Sequence, residues 1–330
     1  MTAKRLGLAL GSGSARGLAH IGVLKVLDRE GLRIDMIAGA SIGALIGGAY
    51  AAGMTPHEME QMALSVDIKR LVSLADIARP TTALVNGQRV EEFIRSVVDG
   101  KTFADLATPF SCVAVDVAGG REVVLSRGDL ASAIRASVST PVIFAPVERD
   151  GRLLVDGGVL NSVPVDVVSG MGADVVVAVT NLGIPRSRVP IFSNDKRGDS
   201  IETGKVKGTG FTEIVYSRVL TAVMGRLRSP SVYQLAVGSV DLMQRELSEP
   251  RLRAADLVIA PIIDGAAYYS FYEAEKMITA GQMAAEAALD EIWSLLAAGP
   301  DCLDEPKHVD FTAYADRVQQ PGGASCRTPY

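Results

Sequence analysis

The pentapeptide Gly39-Ala40-Ser41-Ile42-Gly43 has the residue types and the spacing for nucleophilic chemistry. It lies between an apolar run at 34–38, which predicts a strand, and an apolar run at 42–52, which predicts a buried helix. A sharp turn between such elements lifts a serine hydroxyl above the sheet. Flanking glycines let the strand and the helix approach each other without a Cβ clash. We therefore predict a nucleophile elbow, with Ser41 as the nucleophile and the two glycines as its structural residues.

A second candidate is the turn Gly11-Ser12-Gly13-Ser14-Ala15-Arg16-Gly17, between a predicted strand at 6–10 and a predicted helix at 18–27. A glycine-rich turn at a helix start presents backbone N–H groups to an anion, either a phosphate or a developing oxyanion. The glycine spacing also fits a dinucleotide-binding turn. That fold needs an acidic residue at the end of the second strand, whereas Asp35 stands at its beginning, so dinucleotide binding is disfavoured.

The third candidate is Asp156-Gly157-Gly158, which follows a predicted strand at 153–155. Alone it is an ordinary turn signal, but together with the elbow it offers Asp156 as a general base. The order Ser41, Asp156, His308 matches an α/β-hydrolase triad. However, the serine stands too early in the chain for that fold, and His308 lies in a polar segment. We therefore favour a Ser–Asp dyad, with His20 as a structural residue whose contact with the site stays open.

Short apolar runs alternate with helical patterns, which predicts an α/β fold with a largely parallel sheet covered on both faces. In addition to the elements already named, we predict strands at 111–117, 123–125, 175–180 and 257–262, and helices at 90–98, 130–138, 211–227, 231–247 and 269–296.

Composition narrows the class of protein. The chain has 330 residues, 48% of them hydrophobic and 22% charged, which are values typical of a folded globular protein. Its net charge of −5 argues against a general nucleic-acid binder. Cys112, Cys302 and Cys326 are too widely spaced for a disulfide framework or a metal pair. The apolar stretch at the N-terminus is too short and glycine-rich for a signal peptide, so we expect a cytoplasmic protein.

Residues 36–56 carry no charge, and Gly39, Gly43 and Gly47 form a GxxxG ladder, which raises the alternative of a transmembrane helix. The stretch is mostly Gly and Ala and would insert poorly, so we favour a buried helix. We expect one domain over 1–298. Its basic, proline- and glycine-containing segment at 184–210 predicts a mobile loop, either a solvated insertion or a lid, and 299–330 predicts a disordered tail.

The ordered motifs at 8–24, 39–43, 136–141 and 154–158 resemble the patatin-like phospholipases, and among them the bacterial branch similar to neuropathy target esterase. The resemblance covers about residues 5–181. It implies a three-layer α/β/α fold and a calcium-independent Ser–Asp dyad that hydrolyses acyl esters of phospholipids or lysophospholipids.

On this resemblance, Ser41 is the nucleophile and Asp156 the base, and the backbone of Gly11, Ser12, Gly13 and Ser14 forms the oxyanion hole. The family's turn usually has a longer run of glycines, which Ser12 and Ser14 interrupt here. Serine can serve in this turn unless a positive φ is required.

Our first hypothesis is therefore a serine acyl-ester hydrolase with a lipid substrate, transient contact with a membrane surface, no cofactor and no metal. The alternative is a lipid- or acyl-binding regulatory protein with a vestigial dyad. A malonyl-type transacylase is disfavoured, because neither a histidine nor an arginine adjoins Ser41. The headgroup, the acyl-chain preference and any homo-oligomer stay open.

Overall fold

The computed structural model describes residues 3–66, 83–181, 232–263 and 270–298. These ranges form one sheet with helices on both faces. The strands are β1 (Leu6–Leu10), β2 (Met36–Ala40), β3 (Phe110–Asp116), β4 (Arg121–Leu125), β5 (Val147–Arg149), β6 (Arg152–Asp156), β7 (Val175–Val179) and β8 (Leu257–Ile259). The α-helices are α1 (Ala19–Arg29), α2 (Ile42–Ala51), α3 (Pro56–Leu64), α4 (Gln88–Val97), α5 (Leu130–Ser137), α6 (Val165–Gly170), α7 (Val232–Leu252) and α8 (Ala274–Ala297).

The centre of the sheet is parallel, as predicted. Its strand order is β3-β2-β1-β7-β8. One end of the sheet is antiparallel, because β4 and β6 both pair with β3 and β5 pairs with β6. Short connections join β3 to β4 and β5 to β6, whereas β6 pairs with β3 from a distant part of the chain. The β5–β6 hairpin turns at Asp150 and Gly151, which both have positive φ, the conformation of a two-residue hairpin loop.

Most predicted elements are confirmed with shifts of a few residues at their ends. Three of the described strands and α-helices were missed. They are the short strand β5, the short helix α6, and α3, which begins with Pro56 and has a capping box between Thr55 and Glu58. The predicted helix at 211–227, loop at 184–210 and tail at 299–330 lie outside the described residues.

Alternation along the strands divides the core between the two faces of the sheet. In β1, Leu8 and Leu10 pack in the larger cluster with α1, α2 and α8, whereas Ala9 packs in the smaller cluster beneath α6.

Helices α1 and α8 approach very closely through facing glycines. A Cβ at Gly22 would lie 2.0 Å from the Ile278 carbonyl oxygen, which is closer than atoms can pack.

The segment at 36–56 does not form a membrane span. It forms β2 and α2, whose residues are nearly all buried inside the protein. Across the ranges that the structure describes, no helix has both the length and the apolar character needed to cross a bilayer.

Candidate active site

The predicted elbow is a tight turn from β2 into α2 with Ser41 at its tip. Ser41 has φ 54° and ψ −122°, a conformation that side-chain-bearing residues rarely adopt and that is common at functional sites. The glycines on either side are required by close backbone approach. A Cβ at Gly39 would lie 2.5 Å from the Gly43 carbonyl oxygen, and one at Gly43 would lie 2.2 Å from the Leu10 carbonyl oxygen. The glycine spacing therefore has the physical reason that the sequence indicated.

Sheet topology brings Asp156 to Ser41 across 115 positions of sequence. Strand β2 runs parallel to β3 and ends with Ala40 opposite Val113. Strand β6 runs antiparallel along the same side of β3 and ends with Asp156 opposite Ala114. The two strands therefore meet end to end, and the residue that ends β6 faces the residue that follows β2.

The two side chains form a direct hydrogen bond, in which the Ser41 Oγ donates to Asp156 Oδ2 at 2.7 Å. The Thr140 hydroxyl donates to the same oxygen at 2.9 Å, and the Gly158 N–H donates to the other carboxylate oxygen at 2.8 Å. Asp156 is only 1% exposed. Burial raises the pKa of its carboxyl from 3.8 to about 6, although the hydrogen bonds from Ser41, Gly158 and Thr140 oppose the rise.

A carboxylate with a pKa near 6 is still mostly ionised at pH 7 and is more basic than an ordinary aspartate. The Asp156 carboxylate can therefore accept the Ser41 proton. The backbone around it is also held, since the Asp156 N–H donates to the Ser139 carbonyl oxygen at 3.0 Å.

The glycine-rich turn passes beside the dyad, but only part of it can bind an anion. The Gly11 N–H donates to Val179 O at 2.9 Å, and the Ser12 N–H donates to Ser162 O at 2.8 Å. The expectation of four free donors is corrected on these contacts, because those two N–H groups already have partners. In the part of the chain that the structure describes, the N–H groups of Gly13 and Ser14 donate no hydrogen bond.

The two free donors lie in an unusual backbone conformation. Gly13 has φ 149° and Ser14 has φ 51°. The serine at position 14 therefore occupies the left-handed region, which costs a non-glycine residue about 1–2 kcal/mol. The turn therefore does require a positive φ at a serine, and Ser14 adopts it at a cost in strain. The candidate oxyanion donors are the N–H groups of Gly13 and Ser14.

Neither of the two described histidines, His20 and His57, forms a hydrogen bond with Ser41 or Asp156. His20 is fully buried, and its Nε2 lies 2.7 Å from the Gly11 carbonyl oxygen, with the Asn181 amide beside the same nitrogen. Burial lowers the pKa of His20 to about 4, so the ring is neutral at physiological pH. The His20 ring therefore supports the glycine-rich turn through its contact with the Gly11 carbonyl oxygen. His57 is exposed on α3, and His308 lies outside the described residues.

A cavity of about 380 Å³ opens at Ser41. Among the described residues, its polar lining residues are Ser14, Ser41 and Thr140. The remaining walls are aliphatic and aromatic and come largely from α2, α3 and α4. They include Leu45, Ile46, Ala49, Met59, Met62, Val90, Phe93, Val97 and Phe144. Such a lining fits an acyl chain, with its ester group at the polar end.

Several residues that hold the site were not assigned from the sequence. The Ser137 hydroxyl accepts the Ser41 N–H at 3.0 Å and so holds the elbow, and Thr140 contacts Asp156 directly. Both lie within 136–141, a segment that contributes to the family resemblance, but the sequence indicated no role for their side chains. Their spacing carries no recognisable signal, because they meet the dyad only through the fold.

The described ranges hold no candidate metal centre beside the Ser41–Asp156 pair. They contain no group of three or more His, Cys, Asp or Glu residues placed to hold a metal ion. Cys112 is buried in β3, and burial raises the pKa of its thiol to about 12, so it is inert as a nucleophile.

A sequence model of the patatin-like phospholipases matches residues 8–169. An uncharacterized NTE family protein of Mycobacterium tuberculosis is 40% identical over 176 residues, which cover 53% of this chain and 49% of that protein. A second one from the same organism is 31% identical over 286 residues, 87% of this chain and 46% of that protein. The chain therefore spans about half the length of these relatives.

Patatin-like phospholipase domain-containing protein 6 of Mus musculus is 35% identical over 185 residues, which cover 54% of this chain and 14% of that protein. Among solved structures, VipD from Legionella pneumophila aligns with 96% of this chain and 79% of its own, at 13% identity and a TM-score of 0.37.

Proposed function

Because this chain carries a domain of the patatin-like phospholipase family, we propose that it is a serine acyl-ester hydrolase that cleaves phospholipids or lysophospholipids. The observation that carries the proposal is the 2.7 Å hydrogen bond between Ser41 Oγ and Asp156 Oδ2 at the polar end of an apolar cavity. A nucleophile paired with a base, beside free N–H donors, is the arrangement that acyl transfer requires.

In the proposed acylation step, Ser41 Oγ attacks the ester carbonyl carbon while its proton passes to Asp156 Oδ2. The carbonyl oxygen becomes an oxyanion, which the N–H groups of Gly13 and Ser14 stabilise. The tetrahedral intermediate then collapses. The C–O bond to the alcohol breaks, and the leaving oxygen takes the proton from Asp156.

In the deacylation step, Asp156 takes a proton from water, and the resulting hydroxide attacks the acyl-Ser41 carbonyl. Collapse returns the proton to Ser41 Oγ and releases a fatty acid. Every proton transfer is made by a group of the dyad, so we propose that the reaction is independent of calcium.

Exposed apolar side chains beside the cavity support transient contact with a lipid surface. Leu64 and Leu84 are exposed, and each directly follows or precedes a cavity-lining residue. Val142 is also exposed and accepts the Leu84 N–H through its carbonyl oxygen at 3.3 Å. Leu84→Ser should reduce co-sedimentation with lipid vesicles and leave hydrolysis of a short water-soluble ester unchanged. Unchanged co-sedimentation would argue against this surface.

The test of the proposed function is release of fatty acid from lysophosphatidylcholine and phosphatidylcholine, and of p-nitrophenol from p-nitrophenyl butyrate. Ser41→Ala and Asp156→Asn should each reduce kcat by at least about 10³-fold. Ser96→Ala is the matched control, because Ser96 is an exposed serine on α4 whose hydroxyl donates to the Phe93 carbonyl oxygen. It should retain full activity.

Retained hydrolysis in folded Ser41→Ala protein would refute the dyad. If wild-type protein binds fatty acid but hydrolyses none of the three esters, the regulatory alternative replaces the hydrolase.

A further inference from the structure

A buried cluster of charged side chains lies behind the glycine-rich turn, and the proposed reaction does not use it. Arg16 is the sixth residue of this turn, and Asp241 and Arg245 lie on α7. Their side chains are 6%, 3% and 5% exposed. The Arg16 guanidinium donates to Asp241 Oδ1, and Arg245 Nε donates to Asp241 Oδ2 at 3.1 Å. Burying these charges costs desolvation energy, so the cluster by itself is weak evidence for a stabilising role.

Arg16 also contacts Gly13, three residues before it in the turn. Its Nε lies 3.4 Å from the Gly13 carbonyl oxygen, and its backbone N–H donates to the same oxygen at 3.2 Å. In a trans peptide the C=O and the following N–H point in opposite directions. Holding the Gly13 carbonyl oxygen on the Arg16 side therefore directs the Ser14 N–H to the opposite side of the turn. Ser14 lines the cavity together with Ser41, and its N–H forms no hydrogen bond within the described residues. We therefore assign the oxyanion to that opposite side.

The conformation of the turn explains why it needs to be held. The peptide between Gly13 and Ser14 joins two residues with positive φ, and Ser14 at φ 51° is strained. Rotation of this peptide would relieve the strain and turn the Ser14 N–H away from the cavity. The contacts from Arg16 to the Gly13 carbonyl oxygen oppose that rotation.

We propose that Asp241 of α7 is a positioning residue for ester hydrolysis. Asp241 holds the Arg16 guanidinium against the Gly13 carbonyl oxygen. This contact directs the Ser14 N–H toward the oxyanion. This inference rests on the proposed function. Asp241 lies outside residues 8–169, the part of the chain that the family's sequence model matches. The oxyanion hole therefore depends on a helix beyond the matched domain.

The test compares three variants on p-nitrophenyl butyrate. Arg16→Met removes the side-chain contact to the Gly13 carbonyl oxygen, keeps the bond from the backbone N–H, and leaves Asp241 paired with Arg245, so no buried carboxylate loses its last partner. Its kcat should fall about 10²–10³-fold with KM changed less than about threefold, the loss expected for one oxyanion donor. Asp241→Asn should fall less, because an amide oxygen can still accept from Arg16. Arg245→Met is the matched control and should keep kcat, because Arg16 and Asp241 remain paired.

A trifluoromethyl ketone supplies the readout that a purely structural role would not move. It forms a tetrahedral oxyanion on Ser41, so its affinity should fall in Arg16→Met and Asp241→Asn in proportion to kcat, while their binding of fatty acid stays at the wild-type value. Arg16→Lys should recover part of the lost affinity, since its amine can reach one of the two acceptors.

Three outcomes would overturn the inference. The first is wild-type kcat in Arg16→Met or Asp241→Asn. The second is an equal loss in Arg245→Met, which would indicate a general effect of the cluster on α7. The third is a raised KM for phospholipid with unchanged hydrolysis of the neutral ester, which would assign Arg16 to the substrate phosphate. If Ser41→Ala is also fully active, the proposed function itself fails.

Discussion

Removing the Thr140 hydroxyl should shift the pH dependence of the enzyme without stopping it. This hydroxyl donates to Asp156 Oδ2 at 2.9 Å and lowers the pKa of the carboxyl, which burial raises to about 6. A hydrogen bond to a charged group contributes about 1.5–3 kcal/mol, and 1.36 kcal/mol corresponds to one pKa unit. In Thr140→Val, which keeps the shape of the side chain, the pKa of Asp156 should therefore rise by roughly 1–2 units.

The assay is kcat/KM for p-nitrophenyl butyrate between pH 5 and pH 9, because this parameter reports the pKa values of the free enzyme. The reaction needs Asp156 ionised, so activity falls as the pH drops through its pKa. In wild-type protein that acid limb should lie at about 6. In Thr140→Val it should lie between about 7 and 8, which lowers kcat/KM at pH 6 by roughly 5- to 50-fold.

At pH 9 the Thr140→Val variant should approach the wild-type rate, since the base is then ionised in both proteins. Thr140→Ser keeps the hydroxyl and should keep the wild-type profile. Two results would refute this reasoning: an acid limb that does not move, or an equal loss of rate at all pH values. Either would mean that the limb does not report Asp156 or that the Thr140 hydroxyl does not stabilise its carboxylate.

Three further outcomes follow from the geometry. The raised pKa of Asp156 means that the folded state disfavours its carboxylate, so stability is lost as the pH rises from 3.8 to about 6. Asp156→Asn removes this penalty. In denaturant titrations it should raise the free energy of unfolding by up to about 3 kcal/mol at pH 8, but not at pH 3. Ala49→Phe should abolish hydrolysis of long-chain esters and spare butyrate, because Ala49 lines the cavity roughly 12 Å along α2 from the nucleophile. Gly43→Ala should lower both the melting temperature and the activity, because its Cβ would lie 2.2 Å from the Leu10 carbonyl oxygen, whereas Gly170→Ala, with open space around it, should change neither.

The elbow and the parallel centre of the sheet could be predicted from sequence, because each depends on local patterns. Gly39 and Gly43 mark a close approach between consecutive elements, and the alternation of apolar runs with helical patterns marks a covered sheet. The antiparallel end could not be predicted in the same way. Whether β6 pairs with β3 depends on a hairpin at Asp150 and on a pairing partner distant in the chain, and neither has a periodic signal.

Residue types likewise indicated Ser41 and Asp156, which the structure brings into contact, but not the residues around them. Glycines and serines at 11–14 indicate an anion-binding turn, yet only the fold shows that Val179 and Ser162 take up the first two N–H groups. Asp241 is a polar residue on a predicted helix, and its role behind the turn appears only when α7 packs there. Contacts of this kind are tertiary, so residue order alone does not determine them.

Labelling with a fluorophosphonate, followed by intact-protein mass spectrometry and peptide mapping, tests most directly whether Ser41 is a nucleophile activated by Asp156. Wild-type protein should gain one adduct per chain, located on Ser41, with a labelling rate that rises with pH through about 6. Asp156→Asn should label far more slowly and lose that pH dependence. A stoichiometric adduct on another residue, or an Asp156→Asn variant that labels at the wild-type rate, would contradict the Ser41–Asp156 dyad.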